Sequence, residues 1–219
     1  MLTTPAPRPE RIALPGRYVT LRPLRPTDAE ELWEAGADVD ELWRYMWAGP
    51  FTTLDSWQAH VLTQIPTEDP LFFAICDNES GRAIGQASFL RIEPKHRVIE
   101  VGHILYTACL QRTRGATEAM YLMAKYVFED LGYRRYEWKC NAANAKSQTA
   151  ARRLGFTYEG TFRQHMIVKG ENRDTAWYSM LDSEWPEIKV RFEYWLRPEN
   201  FDELGEQRSR LNMEFGAKA

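Results

Sequence analysis

Between Tyr18 and Leu24 the apolar positions Val19, Leu21 and Pro23 alternate with polar neighbours, the period of a strand with one buried face. The run "TDAE" from Thr27 to Glu30 has the capping-box pattern, and Leu32, Trp33 and Ala35 give the helix it predicts an apolar side. Two further helices are expected around Asp40 to Trp47 and Leu54 to Ile65, separated by "AGPFTT". The period then changes from helical to alternating. "LFFAICD" and "AIGQASFLRI" flank the turn signal "DNESGR", and "RVIEVGHILY" follows "EPKH", which predicts an antiparallel meander. A helix opens near Gly115, carries Ala119, Met120, Met123, Tyr126, Val127 and Leu131 close to helical spacing, and ends at Gly132. In "RYEWKC", Tyr136, Trp138 and Cys140 alternate with Arg135, Glu137 and Lys139. Asn144 is placed to cap a short helix "AKSQTAARRL" that Gly155 closes. Strands "FTYEG", "TFRQHMIVKG" and "TAWYSML" follow, the last two joined through "ENRD", and a helix from Trp185 to Trp195 precedes a polar tail.

This order predicts an α/β (α+β) domain with a mixed, mostly antiparallel central sheet and flanking helices. The Gly115 helix lies between two strands and is a crossover candidate, so those two strands should run parallel. Where parallel neighbours diverge, a ligand cleft opens at their C-terminal ends. Residues 1–15 read as a flexible proline-rich leader, 16–183 as the folded domain, and 184–219 as a C-terminal helix and tail.

Bulk properties narrow the function. With 219 residues, 44% apolar and 13% aromatic, the chain can bury a substantial core as one domain. A net charge of -3 without a basic stripe argues against nucleic-acid binding. Cys76, Cys109 and Cys140 are an odd number without CxxC spacing, which indicates neither a disulfide framework nor a metal site and suits a reducing cytoplasm. No run of about 18 apolar residues suggests a membrane span, and the N-terminus lacks the apolar core of a signal peptide.

The chemistry centres on "LQRTRGATEAMYLM", Leu110 to Met123. Unpaired amides at a helix start and the helix dipole attract anions. Gly115 would let an anion approach the backbone, Arg112 and Arg114 would add charge-assisted hydrogen bonds, and Thr113 and Thr117 would add hydroxyls. As a whole the array suits a pyrophosphate, whereas a solvated loop ahead of an ordinary helix is the plain alternative. Eleven residues before Gln111 lies Glu100 in the preceding strand, with His103 on the opposite face if alternation is regular.

The runs "EVGHILY", "QRTRGATEAMYLM" and "NAANAKSQTAARRLGFTYEG" together resemble the GNAT superfamily of acyl-CoA-dependent N-acyltransferases, and within it the ribosomal-protein N-terminal acetyltransferase branch, over about Tyr18 to Leu181. The resemblance implies acetyl-CoA as cofactor, bound in a cleft between diverging parallel strands. The family phosphate loop reads Q/RxxGxG/A. With "TEA" setting the register, Gln111 matches, Arg114 stands at the first glycine and Ala116 at the last position. A frame on Arg112, Gly115 and Thr117 restores the pattern but breaks the "TEA" match and the Glu100 spacing. Pairing of the pantetheine arm with Ile104, Leu105 and Tyr106, and a contact from Asn144, are also implied.

The same resemblance implies roles in acyl transfer. Glu100 matches a general-base position of some members, and Ser147 matches a serine that protonates the leaving thiolate. The glutamate that some members carry on the strand after "EG" is replaced here by Met166, with His165 beside it, which leaves Glu100 or a histidine, His103 among them, to serve as base. Trp43, Tyr45, Trp47 and Phe51 would either pack the core or wall the acceptor slot, with Asp174 or Glu41 attracting a cationic amine. The expected partner is a small-molecule or peptide amine, with no nucleic acid or membrane, and the chain a monomer or homodimer. An acyl-CoA-binding sensor of weak or lost catalysis is the alternative, motivated by Arg114 and Met166.

Overall fold

The computed structural model describes residues 4–211. In chain order its elements are β1 (Leu14–Pro15), β2 (Val19–Pro23), α1 (Asp28–Leu32), α2 (Asp40–Trp43), α3 (Leu54–Gln64), β3 (Leu71–Asp77), β4 (Ala83–Glu93), β5 (Val98–Tyr106), α4 (Arg114–Lys125), β6 (Arg135–Asn141), α5 (Ala145–Arg153), β7 (Thr157–Val168), β8 (Glu171–Leu181) and α6 (Trp185–Trp195). Single π-helical turns extend α1 through Ala37 and α4 through Asp130.

One eight-stranded sheet runs in the order β1-β2-β3-β4-β5-β6-β8-β7. Every pairing is antiparallel except β5 with β6, the two strands that α4 connects. This is the mixed, mostly antiparallel sheet with flanking helices that the residue pattern predicts. Alternation sorts the strands onto two faces. Phe73, Ile75, Phe89, Ile99, Val101, Tyr136 and Trp138 pack with α4 and α6 on one face. Phe72, Ala74, Cys76 and Leu105 pack with α1, α2 and α3 on the other. No helix among the described residues is long and apolar enough to cross a membrane.

Several local expectations are corrected. Thr27 makes no side-chain capping bond. The carboxylate that matters is Asp28, buried and held by Arg22 through Nη1 at 2.8 Å and Nη2 at 2.7 Å while accepting from the Arg25 amide at 2.7 Å. Thr27 is itself in the helical conformation, φ -65° and ψ -24°, rather than the extended one that an N-cap takes. The last hairpin turns at Lys169–Gly170, not at "ENRD", which lies inside β8. Both turn residues have positive φ, 52° and 80°, as a two-residue hairpin turn of this hand requires, and glycine takes the second without strain. "FTYEG" and "TFRQHMIVKG" form one strand, β7, kinked by register shifts between Tyr158 and Gly160 and between Phe162 and Met166. The leader is packed along residues 4–15: Ala6 is buried and donates to Pro94 O, and Leu14 pairs with Leu21. Its first three residues lie outside the described residues, as does the tail beyond 211.

The C-terminal helix docks on its own domain through Trp185, Ile188, Phe192 and Trp195, all buried. The tail folds back too, with Trp195 Nε1 donating to Gln207 Oε1 at 2.9 Å and Asn200 Nδ2 donating to Trp195 O at 3.0 Å.

One carboxylate ties the two ends of the core together. Glu118, in the first turns of α4, is buried and accepts three backbone amides at the start of β2: Arg17 at 2.8 Å, Tyr18 at 2.6 Å and Val19 at 2.9 Å. Gly115 serves the same packing. A Cβ there would meet Val19 Cγ1 at 2.7 Å, so glycine is needed for the approach of α4 to β2.

Candidate active site

Strands β5 and β6 pair only from Val98–Arg135 to Val101–Trp138. Beyond that point β5 stays with β4 and β6 stays with β8, so the parallel pair splits. The cause is local. Gln86 pairs with Leu105 but Ser88 pairs with Gly102, so β5 carries an extra residue there, and His103 sits in the left-handed region at φ 48°. From Gly102 to Tyr106 the β5 edge facing β6 has no strand partner, leaving amides and carbonyls open to an extended ligand.

The bulge also corrects an expectation about His103. Regular alternation would put it opposite Glu100, but the extra residue returns it to the same face. Its Nδ1 lies 2.9 Å from Ser88 Oγ and its ring packs on Phe72 at 5.1 Å.

At the end of β5 the chain turns through Thr107, whose hydroxyl donates to Ile84 O, and Gln111 Nε2 donates back to Tyr106 O at 2.8 Å. Arg112 takes the left-handed turn position at φ 63°. Thr113 then caps α4, its Oγ1 accepting from the Ala116 amide at 3.1 Å. The amides of Arg114 and Gly115, in the first turn of α4, have no acceptor within the helix. Arg114 is already helical, so its backbone does not require the glycine the family has there. Its guanidinium stacks between Tyr18, 4.6 Å from the ring centroid, and Phe201, at 5.0 Å, while Arg112 is exposed. The Thr117 hydroxyl accepts from Arg153 Nη1 at 3.0 Å. Arg153 is a cation the sequence reading did not single out; it forms no ion pair with a described carboxylate, and burial lowers its pKa.

Across the β6 arm of the split, Asn144 Oδ1 caps α5 by accepting the Ser147 amide at 3.1 Å, and Ser147 Oγ accepts from Trp138 Nε1 at 3.1 Å. Tyr106 donates its hydroxyl to Ala116 O at 2.9 Å and so binds the β5 end to α4.

The other face of the sheet carries a connected charge network. Glu100 Oε2 accepts from Lys139 Nζ at 2.8 Å and lies 3.5 Å from Arg91 Nε. Lys139 also reaches Glu137 at 2.8 Å and sits 3.7 Å over the Trp177 ring. Arg135 pairs with Glu137 at 2.7 Å and Glu159 at 2.6 Å. Burial raises the Glu100 pKa above the usual carboxylate range, opposed by Lys139 and Arg91. Glu100 Oε1 takes no described donor and points toward Gly102 at the head of the split.

Beside this network lies a cavity of about 210 Å³ lined by Trp43, Met46, Trp47, His60, Phe72 and His103 with the buried amides Gln64 and Gln86. Trp43 and Phe51 are core, packed with Trp57, whereas Trp47 is 48% exposed at the mouth. Tyr45 donates its hydroxyl to Ala143 O at 3.2 Å and Lys169 Nζ donates to Trp43 O at 2.8 Å, so both the β6–α5 loop and the last hairpin lean on the α2 segment. His165 is exposed with its Nδ1 3.0 Å from Thr175 Oγ1. Asp174 Oδ1 accepts from the Gln164 amide and from Asn172 Nδ2 in the outer groove of the hairpin, apart from the residues lining the cavity. Glu41 lies 4.0 Å from Lys146 at the surface.

Lys139, Arg173, Trp177 and Gln86 belong to this face and were not among the expected site residues. The alternation of "RYEWKC" already placed Lys139 opposite the core, and a charge on the inner strand of a buried sheet is the signal that could have found it.

Burial holds His103 neutral, down to about 4 from an ordinary 6.5, with His60 nearby adding to the effect. The unfolded chain therefore binds this proton first. Stability is complete above about pH 6.5 and falls as pH drops toward 4, by up to about 3 kcal/mol for this group. His103→Gln should flatten the urea-midpoint profile across that window; an unchanged slope would contradict the assignment.

Comparison with known proteins places this arrangement. Residues 19–157 match the family model described as an acetyltransferase (GNAT) domain. A Brucella melitensis GCN5-related N-acetyltransferase of known structure is 45% identical, covering 95% of this chain and 96% of its own, with a TM-score of 0.92. A GNAT-family acetyltransferase structure from Chromobacterium violaceum is 39% identical over 83% of this chain and 92% of its own, with a TM-score of 0.78. The Bacillus subtilis protein YdaF, whose name provisionally assigns it ribosomal N-acetyltransfer, is 26% identical over 179 residues, 77% of this chain and 93% of its own. With the split parallel pair, the open helix start and these matches together, the chain belongs to the GNAT acetyltransferase family.

Proposed function

We propose that the protein transfers an acetyl group from acetyl-CoA to a primary amine by direct attack in a ternary complex. The observation that carries this reading is the split itself: the unpaired β5 edge and the open amides of α4 lie at one end, and a cavity lined by His103, on the strand and face that carry Glu100, adjoins it. Acetyl-CoA supplies an acyl group already activated as a thioester.

On the cofactor side, Ile104, Leu105 and Tyr106 offer backbone pairing to the pantetheine arm. The amides of Arg114 and Gly115, with the exposed Arg112, meet the pyrophosphate. Gln111 and Thr113 hold that loop in shape, and Thr117 and Ala116 anchor the first helical turn. Asn144 orients the start of α5 beside the arm. On the acceptor side, Glu100 receives the amine proton through its open Oε1, directly or through water, because burial makes it more basic than an exposed carboxylate. His103, neutral, accepts a hydrogen bond from the entering amine. The amine nitrogen bonds to the acyl carbon as the carbon–sulfur bond breaks, and Ser147 gives its hydroxyl proton to the departing sulfur and regains one from water, while Glu100 returns the amine proton to solvent. Tyr45 and Trp47 frame the entrance.

Thiol release from acetyl-CoA, followed with a panel of amino acids, peptides and polyamines, tests this. The expected result is amine-dependent release of one thiol per acetylated amine, together with calorimetric binding of coenzyme A that weakens when Arg112 is replaced by glutamate. Absence of both coenzyme A binding and amine-dependent release would overturn it.

A further inference from the structure

Arg173 is the cation that the charge network leaves out. Three carboxylates, Glu100, Glu137 and Glu159, meet three cations, Arg91, Arg135 and Lys139, in one connected set of ion pairs. Arg173 projects from β8 onto the same face, is 7% exposed, and forms no ion pair with any carboxylate among the described residues. Its Nε is buried without a hydrogen-bond partner. Its guanidinium carbon stands 5.1 Å from the ring centroid of Trp47, the residue at the cavity mouth. A guanidinium always keeps its charge, and burying one without a paired anion costs free energy.

We infer that Arg173 binds the carboxylate of the acceptor, so that the amine acetylated is that of a small amino acid rather than a simple amine or polyamine. The inference rests on the acetyl-transfer reading and deepens it. Four features agree. A single guanidinium matches a monoanion and can hold a carboxylate through two parallel N–H bonds. The Trp47 ring presses on the guanidinium and so fixes its plane. The cavity next to it, about 210 Å³ and lined by Met46, Phe72 and Trp43, has room for one short aliphatic or single-ring side chain and none for a folded protein segment. The buried carbonyl oxygens Gln64 Oε1 and Gln86 Oε1 also lack partners, and an ammonium or amine entering between them and Glu100 would supply the missing donors.

The test compares matched acceptors that differ only at the carboxylate, L-leucine with L-leucinamide and L-phenylalanine with L-phenylalaninamide, in wild type and in Arg173→Met and Arg173→Lys. Wild type should favour the acids, and Arg173→Met should erode the acid-over-amide ratio in kcat/KM by at least about 30-fold, the loss expected on truncating one partner of a buried charge pair. Arg173→Lys should recover part of it. The KM for acetyl-CoA should not move. Because the buried cation is unpaired in the free protein, Arg173→Met should melt at the wild-type temperature or above it.

A second arm does not depend on turnover. Calorimetry with N-acetyl-L-leucine and N-acetyl-L-leucinamide, in the presence of coenzyme A, should show the acid binding more tightly in wild type and equally in Arg173→Met. If no amine is acetylated yet this binding difference holds, the acetyl-transfer reading fails while Arg173 keeps its assignment. Equal treatment of acids and amides by wild type, a preference for phosphoethanolamine, or an Arg173→Met effect confined to acetyl-CoA would each overturn the inference.

Discussion

Glu118→Ala is expected to lower the unfolding free energy by about 4 kcal/mol and the melting temperature by about 10 °C or more. The side chain accepts from three successive backbone amides, those of Arg17, Tyr18 and Val19, at 2.6 to 2.9 Å. Hydrogen bonds to a charged group are worth about 1.5–3 kcal/mol each, and a buried donor stripped of its acceptor keeps its desolvation cost. For a chain of this size about 1 kcal/mol corresponds to about 2–4 °C. The carboxyl seats directly against the chain, where a Cβ at Gly16 would stand 2.7 Å from it, so its removal takes the acceptor from three amides at once. Glu118→Gln keeps one accepting oxygen and should lose roughly half as much. Urea and thermal denaturation of the two variants decide the matter, and midpoints within a degree of wild type would show that the contact contributes nothing. Since β2 and α4 frame the open helix start, coenzyme A affinity should fall with stability.

Glu100→Gln should reduce kcat by about 10² to 10⁴ with little change in folding stability. The separation of the two effects comes from the network. Lys139 loses Glu100 but keeps Glu137 at 2.8 Å and its place over the Trp177 ring, so no cation is stranded. The amide is nearly isosteric and cannot take a proton from the amine. A pH profile gives the signature that a merely structural role would not. In wild type, kcat should fall on the acid side as Glu100 becomes protonated, at a pH above the ordinary carboxylate range because burial dominates its environment. In Glu100→Gln that limb should disappear, leaving only the ionisation of the acceptor amine. An unchanged rate with an unchanged profile would move the base to His103.

Much of this architecture was readable before any coordinates. The elements follow from period: the alternation of Tyr136, Trp138 and Cys140 marked β6, and the spacing of Met120, Met123 and Val127 marked the buried face of α4. The cap of α5 was legible at Asn144 because a short polar side chain ahead of a helix has few other uses, whereas Thr113, read as a hydroxyl for an anion, caps α4. The structure departs from local expectation where a residue takes another conformation or meets a distant partner. Thr27 forms no capping box because it is itself helical, at φ -65° and ψ -24°, whereas an N-cap is extended. Gly115, read as room for an anion, is where α4 comes close to Val19. The Arg114 guanidinium, read as a phosphate ligand, stacks on Tyr18 and Phe201, residues distant in the chain.

The linear order of residues thus dictated which segments are helix or strand, which face of each is buried, and where the open start of α4 would lie, since these depend on neighbours within a turn or two. Which side chains share the candidate site was decided only in three dimensions. A one-residue bulge moved His103 onto the face of Glu100, because a strand's side-chain period of two turns any insertion into a change of face. Whether a charge is paired is equally a property of space: Lys139 lies between Glu100 and Glu137, whereas Arg173, on the adjacent strand, is buried with no ion-pair partner among the described residues.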